Sequence, residues 1–337
     1  MQQNYLRLIT VLTLLWLSLG AALPVAAQGT DSLLKCSEFG FSSEEGFISG
    51  VKQPDGNARV SDGDLLSRDG LVCLRNRELL AKWDISVDLG LDALDIIDAQ
   101  DGLVVFSTEL DDPKGRFGAG DLLATNGAVI PNKALLQRFQ VAHNLGLDGL
   151  QLEGAIPNIK AFLKLAAEKG SDFWLDGGIL SEELIRYKVD ILFTTEAQER
   201  KAAVVPIYDG DLLSAANGSI VFSQAQLHAA GVPAGVPNKG VDFGLDGIAL
   251  PRLKLDRART YFSTEILFRK DPKFSDGDVL QLGAGVVYNN KELITQFEPK
   301  ARFLGLDALS IAFPDDNPAA TGGGATDNMI FLPVITR

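Results

Sequence analysis

Hydrophobic residues along this chain occur in short runs separated by polar loops rich in Gly and Asp. The runs favour Val, Ile, Phe and Thr, and runs of this kind between loop residues predict short β-strands. In the unit from Phe106 to Leu150, two such runs flank Asn126-Gly127, which predicts a tight hairpin. Apolar residues at helical spacing follow Asn132, and again Asn290, so each unit is predicted to carry one short helix with this Asn as its N-cap.

Four sequence marks recur in the same order, four times over. The first is an aromatic residue, two hydroxyl residues and a Glu; these repeat glutamates are Glu44, Glu109, Glu196 and Glu265. The second is Gly-Asp before two apolar residues; these turn aspartates are Asp64, Asp121, Asp211 and Asp278. The third is an amide residue with Leu three positions later: Asn76, Asn132, Gln224 and Asn290. The fourth is Gly-Leu-Asp; these strand aspartates are Asp92, Asp148, Asp246 and Asp307. Ordered marks at near-constant spacing predict a repeat architecture.

Each unit provides four short strands and one helix, which predicts a mainly β fold with short helices. A β-propeller-like ring of four or five four-stranded repeats solves the problem of exposed sheet edges. In such a ring the strand at 306–311 would pair with the segment at 39–43, joining the two ends of the chain. The alternatives are a β-sandwich and an open repeat array. An extra segment at 158–187 is either a degenerate fifth repeat or an insertion.

The order of elements resembles that of hemopexin-like propellers and of secreted bacterial repeat proteins. In the former, an Asp-Ala pair opens the inner strand of each blade, the place held here by Asp92-Ala93 and Asp307-Ala308. An aromatic second strand follows, the place held by Phe106 and by Tyr261-Phe262. The resemblance covers residues 36–313 and implies a propeller.

The chain ends differ in composition from the repeats. Arg7, an apolar stretch at 8–19 and small residues at 25–27 predict a signal peptide over residues 1–27. The repeat domain is then 28–313, a flexible linker 314–328, and an apolar C-terminal tail or closing strand 329–337. The expected location is secreted or cell-surface, with no membrane span after signal cleavage.

Charge and cysteine content restrict the partners. The chain has 44 Asp and Glu against 31 Lys and Arg, without a basic cluster, which argues against nucleic acid. Cys36 and Cys73 are the two cysteines, and export predicts a disulfide between them, with two free thiols as the alternative. His143 and His228 have no partner at metal-ligand spacing, so both are predicted to be ordinary surface or core residues.

The repeated acids are the candidate chemistry. Antiparallel strand order predicts that the acids of one unit lie together at one sheet edge. The groups are Asp92, Glu109 and Asp121; Asp148, Glu196 and Asp211; Asp246, Glu265 and Asp278; and Asp307, Glu44 and Asp64. Calcium bound by carboxylate oxygens would compensate their repulsion. The alternative is that these acids are turn and cap residues.

Two classes of function follow from this pattern. Acids repeated in every unit favour an exported, non-catalytic binding or surface-interaction module, stabilised by calcium, for a protein or polysaccharide ligand. The alternative is a secreted, glycosidase-like hydrolase with a carboxylate pair near 158–187, where Trp174 and Asp176 lie.

Overall fold

The computed structural model describes residues 26–202, 204–236 and 240–316, with side chains from Ser32 onward. The predicted signal peptide up to residue 25, most of the predicted linker and the apolar tail lie outside these residues. None of the described helices is long and apolar enough to cross a lipid bilayer.

The described chain is mainly β, with four four-stranded antiparallel sheets. Strands are numbered in chain order. Sheet 1, in spatial order, contains β18 (Leu306–Ile311), β1 (Phe39–Ser43), β4 (Leu65–Ser67) and β5 (Leu71–Leu74). Sheet 2 contains β6 (Leu94–Asp98), β7 (Leu103–Phe106), β8 (Leu122–Ala124) and β9 (Val129–Ile130). Sheet 3 contains β10 (Leu150–Glu153), β11 (Asp190–Phe193), β12 (Leu212–Ser214) and β13 (Ser219–Phe222). Sheet 4 contains β14 (Ile248–Ala249), β15 (Tyr261–Phe262), β16 (Val279–Gln281) and β17 (Gly285–Tyr288).

The remaining elements are short, apart from three helices. A small hairpin pairs β2 (Phe47–Ile48) with β3 (Arg59–Val60). The helices are α1 (Ala26–Glu38), α2 (Asn76–Leu79), α3 (Asn132–Leu135), α4 (Ile156–Leu175), α5 (Leu180–Tyr187), α6 (Gln224–Leu227) and α7 (Asn290–Thr295). Single 3-10 turns occur at Ala81–Trp83, Gln137–Phe139, Arg257–Arg259 and Pro314–Asp316.

The first strands of the four sheets contact one another in cyclic order. β6 contacts β10, β10 contacts β14, β14 contacts β18, and β18 contacts β6. β18 pairs antiparallel with β1, placing Phe39 opposite Ile311 and Phe41 opposite Leu309. The predicted pairing of the two chain ends is therefore confirmed, and one sheet contains strands from both.

The hydrophobic core lies between neighbouring sheets. Its buried side chains form four clusters, each shared by two sheets. Examples across the successive interfaces are Leu65 with Val104, Val105 with Ile191, Leu192 with Phe262, and Val279 with Phe41. Strands such as β4, β7 and β12 are buried at every position because both faces of their sheets are covered. This explains why their sequences are continuously apolar rather than alternating.

The amide residue of each unit connects the short helix to the segment that leads into a first strand. The Asn132 side chain donates to the carbonyls of Gly120 and Gly146 and accepts from the Leu145 amide. The predicted N-cap role is wrong, because Asn132 is the first helical residue and Pro131 is the cap. The side chain bonds to distant backbone groups instead of its own helix.

The segment at 158–187 is an insertion. Its helices α4 and α5 lie between β10 and β11, which are paired neighbours in sheet 3. Trp174 is buried against the core, and Asp176 is exposed. The segment therefore extends one hairpin connection and adds no sheet of its own.

The predicted disulfide is confirmed. Cys36 in α1 and Cys73 in β5 are bonded, across a sequence separation of 37. The bond fastens α1 to the outermost strand of sheet 1, where both sulfur-bearing side chains are buried.

Replacing both cysteines by Ser should lower the free energy of unfolding by about 3–4 kcal/mol, because a cross-link of this span restricts the unfolded chain. Urea denaturation checks this. Dithiothreitol should destabilise the wild type similarly and leave the Cys36→Ser/Cys73→Ser protein unchanged. A wild type indifferent to reductant would contradict the expectation.

A chain that ends at Phe303 should lose its cooperative unfolding transition. Without β18, sheet 1 loses a strand, and β6 and β14 both lose a neighbour. A chain that ends at Asp316 retains β18 and is the matched control. Hydrogen exchange distinguishes the outcomes: sheets 2 and 3 remaining protected in the shorter chain would mean that the sheets fold independently.

Candidate metal centre where the first strands meet

The strand aspartates are held at the start of the first strands by bonds between neighbouring sheets. The Ser42 hydroxyl of sheet 1 donates to the carbonyl of Leu91, the residue before Asp92, at 2.8 Å. The same bond recurs from Ser107 to Leu147 at 2.9 Å and from Thr194 to Leu245 at 2.8 Å. Sequence reasoning missed this role, although the repeated hydroxyl residues of the first mark are its signal.

Each repeat glutamate packs against the glycine of the Gly-Leu-Asp mark in its own sheet. At Gly90, where φ is 77°, a Cβ would lie 2.5 Å from the carboxyl carbon of Glu109. At Gly146, where φ is 80°, it would lie 2.4 Å from that of Glu196. Only glycine permits both this backbone conformation and this approach. The mark therefore requires Gly so that a Glu and an Asp can come together.

These acids form one cluster rather than four separate ones. Oxygens of Asp92, Asp148 and Glu196 lie within 4.8 Å of one another, although Asp92 belongs to sheet 2 and the other two to sheet 3. Glu196 lies against Asp92, and Glu109 against Asp307, and the side chains of each pair shift one another's pKa, so these two glutamates reach the strand aspartate of the preceding sheet.

Burial and mutual repulsion raise the pKa of the clustered acids. For all four strand aspartates, burial is the largest cause and neighbouring carboxylates follow. The charges of Asp92 and Asp246 raise the pKa of Asp148, and those of Asp92, Glu109, Asp246 and Asp148 raise the pKa of Asp307. Burial, followed by the charges of Asp276 and other acids, raises the pKa of Glu44 to about 7. The four aspartates thus act on one another electrostatically.

Two of these carboxyl groups have a buried oxygen without a partner. Asp148 and Asp246 are 5% and 6% exposed, and Oδ2 of each forms no hydrogen bond. Within the described residues, no strand aspartate or repeat glutamate forms a salt bridge with Lys or Arg. A buried carboxylate without a donor is costly. The donor set consists of hard carboxylate oxygens and suits a hard divalent cation.

The turn aspartates have a different role. Asp121 accepts hydrogen bonds from the amides of Gly118 and Asn132, and Asp278 accepts from Ser275 and Asn290. Asp64 accepts the equivalent bonds from Ser61 and Asn76 and also pairs with Arg75 at 2.7 Å; Asp211 accepts from Gln224. These four residues fix the turn and the first turn of the following helix, as the turn-and-cap alternative predicts, and their bonded oxygens are directed to their own loops.

Further acids extend the negative field outward from the cluster. Three of them, Asp62, Asp209 and Asp276, come directly before the Gly of a Gly-Asp mark. The other two, Asp88 and Asp242, lie two residues before the Gly of a Gly-Leu-Asp mark. Asp62 and Asp88 raise the pKa of Glu109, and Asp242 raises that of Glu265, in both cases after burial. Burial and the adjacent Asp242 raise the pKa of Asp209 to about 8. Sequence reasoning missed these residues because not every repeat carries them.

The first strands are connected beyond the cluster by a buried polar network. Asp95, Gln151 and Ser310 each lie three positions after a strand aspartate, Asp92, Asp148 and Asp307. Arg252, which follows β14, forms a salt bridge with Asp95 and donates to the carbonyls of Ile96 and Leu152. Gln151 bonds to Asp95, and Ser310 accepts from the Ile96 amide. All four first strands thus contribute to a network with Arg252 in its middle.

Neither histidine joins the cluster. His228 is buried among Phe243, Phe262 and Phe274, with ring centroids 5.1–5.5 Å away. His143 is exposed, with Nε2 3.5 Å from Glu199.

Comparison with protein-family models, with curated proteins and with solved structures found no match. The geometry of the chain itself therefore carries the functional argument.

A second pair of acids lies outside the cluster. Glu153 of β10 and Asp190 of β11 are directly opposite one another in sheet 3. Burial and the charge of Asp190 raise the pKa of Glu153 from 4.5 to about 7. The folded protein thus binds this proton more tightly than the unfolded chain, so the free energy of unfolding falls as pH rises from about 4.5 to about 7.

Glu153→Gln should remove this pH dependence. Relative to wild type, the variant should gain on the order of 1–3 kcal/mol between pH 4 and pH 8. Denaturation curves at several pH values measure the difference. Parallel stability profiles for the two proteins would show that Glu153 titrates normally.

Proposed function

We propose that this protein is an exported, non-catalytic binding module built as a four-bladed β-propeller, with a divalent cation, calcium, in its central acidic cluster. The cyclic contacts of the first strands support the ring. So do the four core clusters between successive sheets and the sheet shared by both chain ends.

One observation carries the cation proposal. Asp148 is 5% exposed and its Oδ2 lacks a hydrogen-bond donor, yet its carboxylate lies within 4.8 Å of oxygens of Asp92 and Glu196. Three acids at this separation repel one another unless protons or a cation compensate them. Asp246, with its own unpartnered Oδ2, offers a further ligand from sheet 4.

The donor chemistry supports calcium among the hard cations. All candidate ligands are carboxylate oxygens, and calcium accepts six to eight oxygen ligands in flexible geometry, whereas magnesium requires a near-ideal octahedron. The disulfide is compatible with an extracytoplasmic location, where calcium is available at high concentration. Bound there, the cation would neutralise acids from several sheets and hold the first strands together.

The repetition of the acids supports binding rather than catalysis. Every sheet contributes one strand aspartate and one repeat glutamate, whereas a hydrolase needs two carboxylates with different roles at one place. The hydrolase alternative depended on the insertion. There Trp174 is buried and Asp176 is exposed, and no feature of this pair favours catalysis.

Calcium at about 100 times its Kd should raise the melting temperature by about 5–10 °C over chelator, since a ligand that binds only the folded state stabilises it. Asp148→Asn should lose most of this gain. In chelator the same variant should be at least as stable as wild type, because it removes one buried negative charge. Thermal denaturation of both proteins, with and without calcium, measures the four values.

Glu153→Gln is the matched control, because it also removes an acid whose pKa burial raises but which lies outside the cluster. It should keep the full calcium response. An equal melting temperature for the wild type in chelator and in calcium would contradict the proposal, and a larger response to magnesium or manganese would replace calcium with that ion.

A further inference from the structure

A groove runs between sheets 1 and 4, where the strands from the two ends of the chain meet. Two adjoining pockets, of about 410 and 290 Å³, form it and share Arg68 and Tyr288. Tyr261, Arg259 and Phe313 line one pocket, and Glu292 lines the other. The groove lies at an interface between sheets and does not include the acidic cluster.

Three residues of the groove differ in chemical type from the residues at the equivalent positions of the other repeats. Tyr288 is opposite Val279 in β16; the equivalent residues of the other sheets are Leu74, Ile130 and Phe222. Tyr261 takes the position of Gly40, Val105 and Leu192. Arg68 takes the position of Thr125, Ala215 and Leu282. The fold thus accepts other residues at these positions, although both tyrosines also pack against the core between sheets 1 and 4.

The polar groups of these three residues are available for a ligand. The Arg68 guanidinium lies 5.7 Å from the ring centre of Tyr288 and 5.9 Å from that of Phe39. Within the described chain it forms no hydrogen bond or salt bridge, and neither do the hydroxyls of Tyr261 and Tyr288. By contrast, Arg259 is already paired with Asp315. Arg68 is therefore held over aromatic rings with its donors open.

The charges of the groove favour a neutral ligand. Arg68 and Arg259 are accompanied by three acids, Glu38, Asp69 and Glu292, so donors and acceptors of both signs are present and the acids outnumber the arginines. The chain has a net charge of −13, which disfavours an anionic polymer. A cationic ligand would be drawn instead to the acidic cluster. Half-buried aromatic rings beside mixed polar groups match an extended chain of sugar rings, whose C–H faces are apolar and whose hydroxyls both donate and accept.

We propose that this groove binds a segment of a neutral polysaccharide. One sugar ring packs on Tyr288 and another on Tyr261, while Arg68 donates to sugar hydroxyls between them. The length of the groove, two adjoining pockets, suits more than one sugar unit. The proposal names a ligand for the binding module and does not depend on the cation, since it involves none of the clustered acids.

Affinity electrophoresis of the full chain tests this. Native gels would contain soluble neutral polysaccharides (mixed-linkage glucan, xyloglucan, glucomannan, arabinoxylan, dextran and starch) or anionic ones (alginate and polygalacturonate). At least one neutral polysaccharide should retard the wild type. Arg68→Ala and Tyr288→Ala should each raise the apparent Kd about tenfold or more, because each removes a central contact.

The chain offers a matched control pair. Arg186 lies 5.3 Å from the ring centre of its neighbour Tyr187 on α5, away from the groove. This pair repeats the arginine-over-tyrosine contact, with the difference that Arg186 is also paired with Glu183. Arg186→Ala and Tyr187→Ala should migrate like wild type. Melting temperatures of all variants show whether each is folded. If Tyr288→Ala is not, Tyr288→Leu replaces it, because Leu removes the aromatic ring and is the residue at the equivalent position 74 of sheet 1.

Three results would overturn the proposal: no retardation by any neutral polysaccharide, retardation only by the anionic polymers, or equal retardation of the groove variants and wild type. Running the gels with calcium and with chelator separates the two proposals. A calcium-dependent melting temperature without polysaccharide binding would leave the cation proposal intact and end this one.

Discussion

The antiparallel pairing of β1 with β18 is the constraint on which the rest of the structure depends. It places residues near both ends of the described chain in one sheet and brings β18 against both β6 and β14. The first strands then contact one another cyclically, and Asp307 of β18 joins the acids of the other sheets. A chain with the same strands but without this pairing would expose an edge of β1 and would no longer fix Asp307 beside the acids of the other sheets.

Repulsion between the clustered carboxylates works against the packing of the first strands, which is what brings these acids together. Burying the strand aspartates raises their pKa, and each negative charge raises that of the others. Hydroxyl-to-carbonyl bonds such as Ser42 to Leu91, and the Arg252 network farther along the strands, act in the opposite direction and hold the first strands together. Repulsion concentrated at one end of the first strands is compatible with a stable fold only because the sheets are fastened elsewhere. A cation bound there, as proposed above, would therefore stabilise the fold more than one bound at a surface site.

Sequence patterns predicted the strands, their grouping in fours and the pairing of the chain ends, because these follow from apolar periodicity and repeat order. The disulfide was predicted instead from the presence of two cysteines in a chain expected to be exported. The patterns also identified the repeat glutamates and strand aspartates. They did not predict which acids converge, because sheet-by-sheet reasoning assigned Asp121 to the same site as Asp92, whereas the approach of Glu196 to Asp92 joins different sheets. The Arg252–Asp95 pair could not be predicted either, because neither residue belongs to one of the four repeated marks and 157 positions separate the two. Sequence alone did not single out Arg68, Tyr261 and Tyr288. Their difference from the other repeats is recognised only when the strand register shows which residues occupy the equivalent positions.

The disulfide has a consequence for the order in which the protein assembles. Cys36 and Cys73 lie within the first repeat, and the strands of sheet 1 between them are local in sequence. The bond can therefore form while a growing or emerging chain still lacks its last repeats. An oxidised early segment would hold β1, β4 and β5 as a three-stranded sheet whose β1 edge stays unpaired until residues 306–311 arrive. The interval between those two events is when this chain is most exposed to pairing with a neighbouring copy.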